Sequence, residues 1–527
     1  MMQPLAIGLC FVILTQPGNE SAAPPANKPA PSVQITWNFD NGALGAWETN
    51  AAGEIQLTHS PGSGGLWYYF QIDGAANQTR TFVFENARKD SYGHSLLPSI
   101  SYDQEHWAYI KDRLIEPHPT DLDRVRFRFT HTFAADRAWI AYTPPYPNPR
   151  LDALVKRTAS YPQCRVEILG EAPLSNLPIP IFILTDPETP DVNKKYALIL
   201  SREEGHETAS SWLAEGMVRF LLSSDPVAAA LLRAGVFLIA PLFDRDAVAA
   251  GYAVHPLAKN GPGVYWTETW PESTYSFFEQ RQLKRFLQGW KDGEKRVDFS
   301  FRIHSQSWNE DQARREHAAE ANIPLQDRIF TEGLGRTYMP WYRVPERLLQ
   351  DTRFSKYVLD LFPGAVTGLL QSDYLYSNDF GLNFHLYKTP DDLLTEGELM
   401  LRALGESLGI PSLDPPPYLH AAELYELTES QKNQPSHARC VYRDLLGRPP
   451  EFVRLYINDT PYELKPVTEG KEPDFRAGIP YTGYYRVEQE VNRHHFEAAN
   501  GSRTVRIPAE GDFLGPFRIT STRTRRR

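Results

Sequence analysis

Between residues 179 and 408 short apolar runs of strand length alternate with longer segments of helical spacing. That alternation limits the fold more than any other property of the chain. The runs are IPIFILT (179–185), YALILS (196–201), GVFLIAPLF (235–243), FSFRIH (299–304) and NFHLYK (383–388). Segments following Glu207, from about Pro345 to Leu361, and from about Pro390 to Leu408 carry the helical pattern, two of them opening on a proline that suits a first helical turn. Strands alternating with helices predict an α/β unit, a mixed, mostly parallel sheet covered by helices, over residues 155–412.

The flanks read differently. From Val33 onward VQITWNF, LWYYFQI, RTFVFEN, RVRFRFTHTF and AWIAYTP are rich in aromatic and β-branched residues and are separated by Gly, Asn and Ser turns. RVRFRF alternates apolar and basic side chains, as a half-buried strand should. These runs predict an N-terminal β-sandwich over 33–154. After a Pro-rich linker (413–432), FVRLYIND, YELKPV, YYRVEQE, HFEAANG and TVRIPAEG predict a C-terminal immunoglobulin-like β-sandwich over 433–520, then a basic tail at 521–527. At 527 residues, three domains is the natural expectation.

Net charge is −10, which argues against a nucleic-acid partner. Residues 4–15, PLAIGLCFVILT, followed by Ser21, Ala22 and Ala23, read as a signal peptide (1–23), and PPANKPAPS (24–32) as a stiff Pro/Ala linker. The reading is therefore an exported protein, periplasmic or extracellular, with no integral membrane span, since the run is too short to cross a bilayer. Of three cysteines, Cys10 lies in that leader. The remaining Cys164 and Cys440 cannot build a disulfide framework or a Cys-rich zinc site, so any metal would need His and carboxylate ligands.

The stretch YALILSREEGHETASSWLAEGMVRFLL (196–222) delivers a charged turn from a strand to a helix. The turn carries Glu204 and Glu207, three apart, and two ligating side chains at that spacing can face one ion, with a distant histidine completing the set. The alternative is a solvated acidic loop capping a helix.

With these residues in view, the chain resembles a divergent M14-type zinc carboxypeptidase of the cytosolic-carboxypeptidase-like branch, which carries an N-terminal β-domain. FDNGALGAW (39–47), LWYYFQIDG (66–74) and RFRFTHTFAADRAWIAYTPPYP (126–147) resemble that domain and its junction. The 196–222 stretch resembles the HxxE turn, GVFLIAPLFDRDAVAAGY (235–252) the PxxNPDGVxxGN turn, and FSFRIHSQS (299–307) the strand of the third ligand. The resemblance implies a zinc-carboxypeptidase-like sheet and a metal held by Glu204, Glu207 and His304, with Glu204 where the family has histidine. Glu/Glu/His is a legal zinc set, and its oxygens would also tolerate another divalent cation. His206 directly neighbours Glu207, and successive residues rarely face one ion, so a local hydrogen bond is its expected role.

The resemblance also implies a clamp for a substrate carboxylate. Its arginine positions fall near Ala253 and on YWTE (265–268), ending in Glu268, with Arg245 nearby as a substitute or as a surface arginine paired with Asp244 or Asp246. The general-base position falls on Tyr387, whose neutral phenol is no base near pH 7. Asp391, Asp392 and Glu396 follow, as candidate bases or as a solvent-facing helix N-terminus favoured by the dipole. Tyr374 or Tyr376 would be the mobile-loop tyrosine. Two functions follow: a zinc-dependent hydrolase of peptide or cell-wall-like amides, or an inactive pseudoenzyme that serves as a ligand- or glycan-binding module.

Overall fold

A computed structural model describes residues 33–89, 97–256, 270, 277–305, 311–316, 320–345, 353–376, 386–412, 414–425, 436–468, 470, 472–486, 492–501 and 503–515. The signal-peptide, Pro/Ala-linker and basic-tail readings, and Tyr265–Glu268, lie outside the described residues. Among the described residues no helix is long and apolar enough to cross a membrane.

Two five-stranded sheets form the N-terminal sandwich. One runs Gln34–Thr36, Tyr69–Asp73, Ala138–Ala141, Ser99–Ser101, Ala108–Tyr109; the other Trp47–Thr49, Ile55–Leu57, Thr79–Arg88, Arg124–Thr132, Arg113–Pro117. The RVRFRF alternation does what its period requires. Val125, Phe127 and Phe129 enter the core between the sheets, while Arg126 turns outward to Glu54, Glu85 and Glu116.

A seven-stranded mixed sheet occupies the centre, ordered Cys164–Glu171, Pro178–Leu184, Gly235–Ala240, Lys195–Ser201, Phe299–His304, Val366–Gln371, Gln312–Arg315. Gly235–Ala240, Lys195–Ser201, Phe299–His304 and Val366–Gln371 run parallel, and the remaining three strands pair antiparallel at the two sides. The parallel four are covered on both faces, which explains their unbroken apolar runs. Ala197 and Ile199 face one core, shared with helices Thr208–Leu221 and Pro390–Ser407. Tyr196, Leu198 and Leu200 face the other, under helices Phe278–Asp292 and Arg353–Leu361.

The helices Thr208–Leu221 and Pro390–Ser407 touch backbone to backbone. A Cβ on Gly216 would fall 2.1 Å from the Leu394 carbonyl oxygen, and one on Gly397 2.1 Å from that of Leu213. Only glycine fits either place.

The C-terminal unit packs Tyr418–Tyr425, Ser436–Arg443, Ile479–Tyr485 and Lys465–Pro466 against Thr460–Glu463, Phe452–Ile457, Arg493–Asn500 and Arg503–Ile507, with Phe513–Leu514 added beside Arg493–Asn500. It is a two-sheet β unit; its likeness to an immunoglobulin domain rests on length alone. Two expected boundaries move. The one at 154/155 falls inside helix Asn148–Thr158. The stretch 413–432, read as linker, holds the first strand of the last unit, because Leu419 and Ala422 are drawn into its core. Of NFHLYK, the described part makes only a bridge between Tyr387 and Leu375, and an 11-residue π-helix at Arg328–Tyr338 was not anticipated.

Candidate metal centre

Strand Lys195–Ser201 ends at the mouth of the sheet, and the chain turns through Arg202–Glu207 before helix Thr208–Leu221 begins. The turn is forced. Arg202 has φ 58°, and a Cβ on Gly205 would fall 2.1 Å from the Tyr252 carbonyl oxygen. The buried Arg202 guanidinium donates to the Gly205 carbonyl and fixes the loop from inside. Glu207 stands at the helix N-cap position, yet its carboxylate caps nothing.

This tight reversal aims Glu204, His206 and Glu207 at one point. A ligating atom from each lies within 4.8 Å of the other two, and all three residues are buried. His206 Nδ1 lies 3.0 Å from the Ala253 carbonyl oxygen and donates to it, and the same nitrogen is 3.8 Å from Glu204 Oε2; the lone pair of the neutral ring is on Nε2. Burial lowers the His206 pKa and keeps the ring neutral, as a ligand must be.

His304, at the end of the neighbouring parallel strand, places Nδ1 3.0 Å from Glu207 Oε1. Its Nε2 lies 3.0 Å from Glu203 Oε2, and Glu203 is steadied by Trp270 Nε1 at 2.8 Å. Arg302 reaches the same corner, 3.4 Å from Glu203. A carboxylate behind the far nitrogen of a metal-ligating histidine fixes its tautomer and orientation. Burial would raise the Glu203 carboxyl, but the Arg302 charge and the His304 bond outweigh it and hold it at about 2. Burial, then the neighbouring Glu207 charge, pushes Glu204 up to about 8. Against the lowering effect of burial, Glu207 and Glu203 hold the His304 proton up to about 10.

The residues fit a divalent cation. Glu207 Oε2 is buried and has no hydrogen-bond partner, so an acceptor has been taken out of water with nothing in the protein to satisfy it. The 3.0 Å from His304 Nδ1 to Glu207 Oε1 matches the edge, about 3.0 Å, between neighbouring octahedral ligands near 2.1 Å from an ion. Proton and cation compete for His304 Nδ1, so binding would release a proton.

Of the expected ligands, His304 is not among the three residues whose ligating atoms converge, and its described contact with the set is with Glu207. Glu204 and Glu207 meet, His304 joins through Glu207, and His206 turns in as well. His206 was read as facing away because adjacent side chains usually diverge, but the collapsed turn at Gly205 brings it round.

Other expected site residues lie elsewhere. Arg245 is fully buried. It bonds Asn148 Oδ1 at 2.9 Å, Asp152 at 2.8 Å and the Pro178 carbonyl at 2.6 Å, tying helix Asn148–Thr158 to helix Arg245–Ala250. It is neither a surface arginine nor a partner of Asp244 or Asp246. Asp246 accepts from the Leu174 and Ser175 amides. Tyr387 is half-buried with its ring 5.1 Å from that of Tyr109. Tyr376 donates to Asp392, and Asp392 closes a capping box with Thr389. Asp391 is half-buried and accepts from the Ala509 amide. Glu396 is buried against Lys388 at 2.7 Å and accepts from Trp341, Tyr342 and Ser372, each at 2.9 Å. None of these side chains has a described contact with Glu204, Glu207 or His304. Tyr374 comes nearest, its hydroxyl 2.7 Å from Thr208 Oγ1, one residue past Glu207.

Residues 35–143 match the family model described as the cytosolic carboxypeptidase N-terminal domain. The chain is a divergent relative of the cytosolic carboxypeptidases. It is 25% identical over 299 residues to mouse cytosolic carboxypeptidase 3, covering 52% of this chain and 30% of that protein. It is 24% identical over 287 residues to human cytosolic carboxypeptidase 6, covering 51% and 56%. It therefore spans about half or less of these relatives. In fold it is similar to a metallo-carboxypeptidase from Burkholderia cenocepacia (TM-score 0.60, 21% identity, 72% of this chain and 99% of that one). A metallo-carboxypeptidase from Pseudomonas aeruginosa, solved with (2-guanidinoethylmercapto)succinic acid, aligns at TM-score 0.57 and 17% identity over 72% and 99%.

This kinship corrects the expectation of export. The matched domain and these relatives carry the name of cytosolic carboxypeptidases, which contradicts the reading of export. The apolar run at 4–15 had the length of a leader but lacked the basic residue that precedes one.

Proposed function

We propose that the chain is a divalent-metal-dependent, carboxypeptidase-like hydrolase acting on peptide amide bonds. One observation carries this reading: Glu204, His206 and Glu207 gather at the mouth of the sheet, His304 contacts Glu207, and Glu207 keeps a buried oxygen without a hydrogen-bond partner. The relatives' names support a peptide as substrate. Zinc suits the nitrogen and oxygen donors, and the two carboxylates leave room for a harder cation.

When bound, the ion would polarise an amide carbonyl and make water a better nucleophile. This chain's own residues do the rest. Glu204, Glu207, His206 Nε2 and His304 Nδ1 would hold it. Glu203 and Arg302 both reach His304 Nε2, at 3.0 and 3.1 Å, and orient the ring. Two carboxylates in the set would soften the ion's acidifying effect compared with two imidazoles. Arg245 is locked in a buried strut, so the substrate would not be gripped through that residue.

The second reading, an inactive binding module, draws support from the engagement of every general-base candidate. Asp391, Asp392 and Glu396 all have contacts of their own, the last two of them buried. One experiment separates the two. The purified chain, loaded with Zn²⁺ or Co²⁺, is assayed against a peptide library by mass spectrometry beside Glu207→Gln. Metal-dependent cleavage that disappears in the variant supports hydrolysis. Stoichiometric metal with no cleavage by the wild-type chain would leave the binding module.

A further inference from the structure

A second cluster lies behind the first. Asp244 ends the segment after strand Gly235–Ala240 and caps helix Arg245–Ala250, its Oδ1 accepting from the Ala247 amide at 2.9 Å. Glu279 stands in the first turn of helix Phe278–Asp292. His255 reaches between them. A ligating atom from each lies within 4.8 Å of the other two, and the three residues are 0%, 0% and 2% exposed for Asp244, Glu279 and His255. We propose that Asp244, His255 and Glu279 form a second divalent-cation site, separate from that of the 204–207 turn.

Two independent features point to a ligand. Asp244 Oδ2 and Glu279 Oε2 are each buried without a hydrogen-bond partner. Helix capping and the contact with His255 occupy one oxygen of each carboxylate and leave the other unused. Two adjacent buried carboxylates with unspent oxygens are costly unless a cation lies between them.

The second feature is the position of the imidazole. His255 Nε2 is 3.4 Å from Glu279 Oε1 and 3.9 Å from Asp244 Oδ1. Both separations are long for a hydrogen bond, whose usual N···O distance is about 2.9–3.0 Å. They are close to the edge, about 3.4 Å, of a tetrahedron of ligands placed about 2.1 Å from a zinc ion. The imidazole makes a long hydrogen bond to Glu279 Oε1 and lies within reach of Asp244 Oδ1 as well. The Phe277 ring, 4.5 Å from the imidazole, closes one side with apolar surface.

The size of the site favours a bare ion over an organic cation. An ammonium group with N···O contacts of about 2.8 Å needs wider-set acceptors and a channel for its carbon chain. Three nearly inaccessible side chains drawn this close leave room for an ion.

Both clusters touch one segment. The Ala253 carbonyl accepts from His206 Nδ1 at 3.0 Å, and His255 follows two residues later. A cation at the second site would hold that segment in place and so steady His206 in the first.

The test counts metal on the full chain. After complete removal of metal, the wild-type protein is titrated with Co²⁺ and washed, and bound cobalt is measured per chain beside Asp244→Asn/Glu279→Gln and Glu204→Gln/Glu207→Gln. The expected result is two equivalents in the wild type and one in each variant. One equivalent in the wild type, lost in Asp244→Asn/Glu279→Gln and kept in Glu204→Gln/Glu207→Gln, would also support the second site while removing the metal from the proposed function. Unchanged stoichiometry in Asp244→Asn/Glu279→Gln overturns the inference. Folding is checked by thermal unfolding of the metal-free proteins. Replacing two repelling carboxylates by isosteric amides should leave the transition unchanged or raise it. A lowered transition, or loss of the folded chain, would mark an internal charge cluster that needs no cation, and likewise overturns it.

Discussion

The turn at 204–207 and the core beneath helix Pro390–Ser407 both bury carboxylates, and they treat them in opposite ways. Under the helix, Glu396 meets the Lys388 ammonium and three neutral donors, and Lys388 also bonds Asp311 at 2.6 Å. Two carboxylates there share one ammonium, and Glu396 has three neutral donors besides. At the turn, Glu204 and Glu207 lie side by side, His304 is shared between Glu207 and Glu203, and Glu207 Oε2 has no hydrogen-bond partner. A fully matched carboxylate holds structure together, whereas an unmatched one is waiting for something from outside. Both regions read as acidic residues near a helix start, and only their partners tell them apart.

The contrast can be broken by experiment. Lys388→Met should remove about 3–5 kcal/mol, since it strands the buried Glu396 and Asp311 charges; chemical unfolding measures this, and an unaffected midpoint would mean the two regions are not different in kind. Glu203→Gln should weaken Zn²⁺ binding by about 10–100-fold by loosening His304 from behind, read by calorimetric titration, with little change if Glu203 is only a structural partner of Trp270.

Acidity and alkalinity should strike different parts of the molecule. Burial pushes His131 and His494 down to about 4. The unfolded chain therefore binds more protons below the ordinary value of 6.5, and the two sandwiches lose stability as pH falls from 6.5 towards 4. Glu204 is raised to about 8 from 4.5. Folded, it holds its proton where the unfolded chain has released it, so the metal-free centre loses stability as pH rises from 4.5 through 8. Zn²⁺ should cancel the alkaline loss and leave the acid loss unchanged, which thermal unfolding across pH would reveal. The smallest effect is expected at Lys356→Ala. Its pair with Asp360 is largely exposed, at 63% and 64%, and should matter by about 0.3–0.5 kcal/mol or less.

Much of this was legible from residue patterns, and the omissions have definite causes. FSFRIH delimits its strand without error because an apolar run buried on both faces has sharp ends. The helix opening at Pro390 was clear, but reading Glu396 as solvent-facing ignored its spacing. It lies three residues after Leu393 and four before Met400, on the buried stripe. Arg245 was misjudged because Asn148 and Asp152 lie almost a hundred residues away, and tertiary partners leave no local trace. His206 was set aside by a rule valid for extended chain that a collapsed turn does not obey. The Asp244–His255–Glu279 cluster belongs to no motif. Its only early signal was an acid replacing asparagine in the turn that resembles PxxNPDG.

The glycine contact between the helices has a consequence for ion choice. Gly216 and Gly397 let two main chains rest directly on one another, so at that crossing the helix leaving the turn bears on backbone rather than on side chains. An ion of different radius cannot be accommodated by backing the helix away; only the rotamers of Glu204, His206 and Glu207 can give. Discrimination among cations therefore falls to donor hardness and rotamer energy, with the scaffold acting as a rigid anvil.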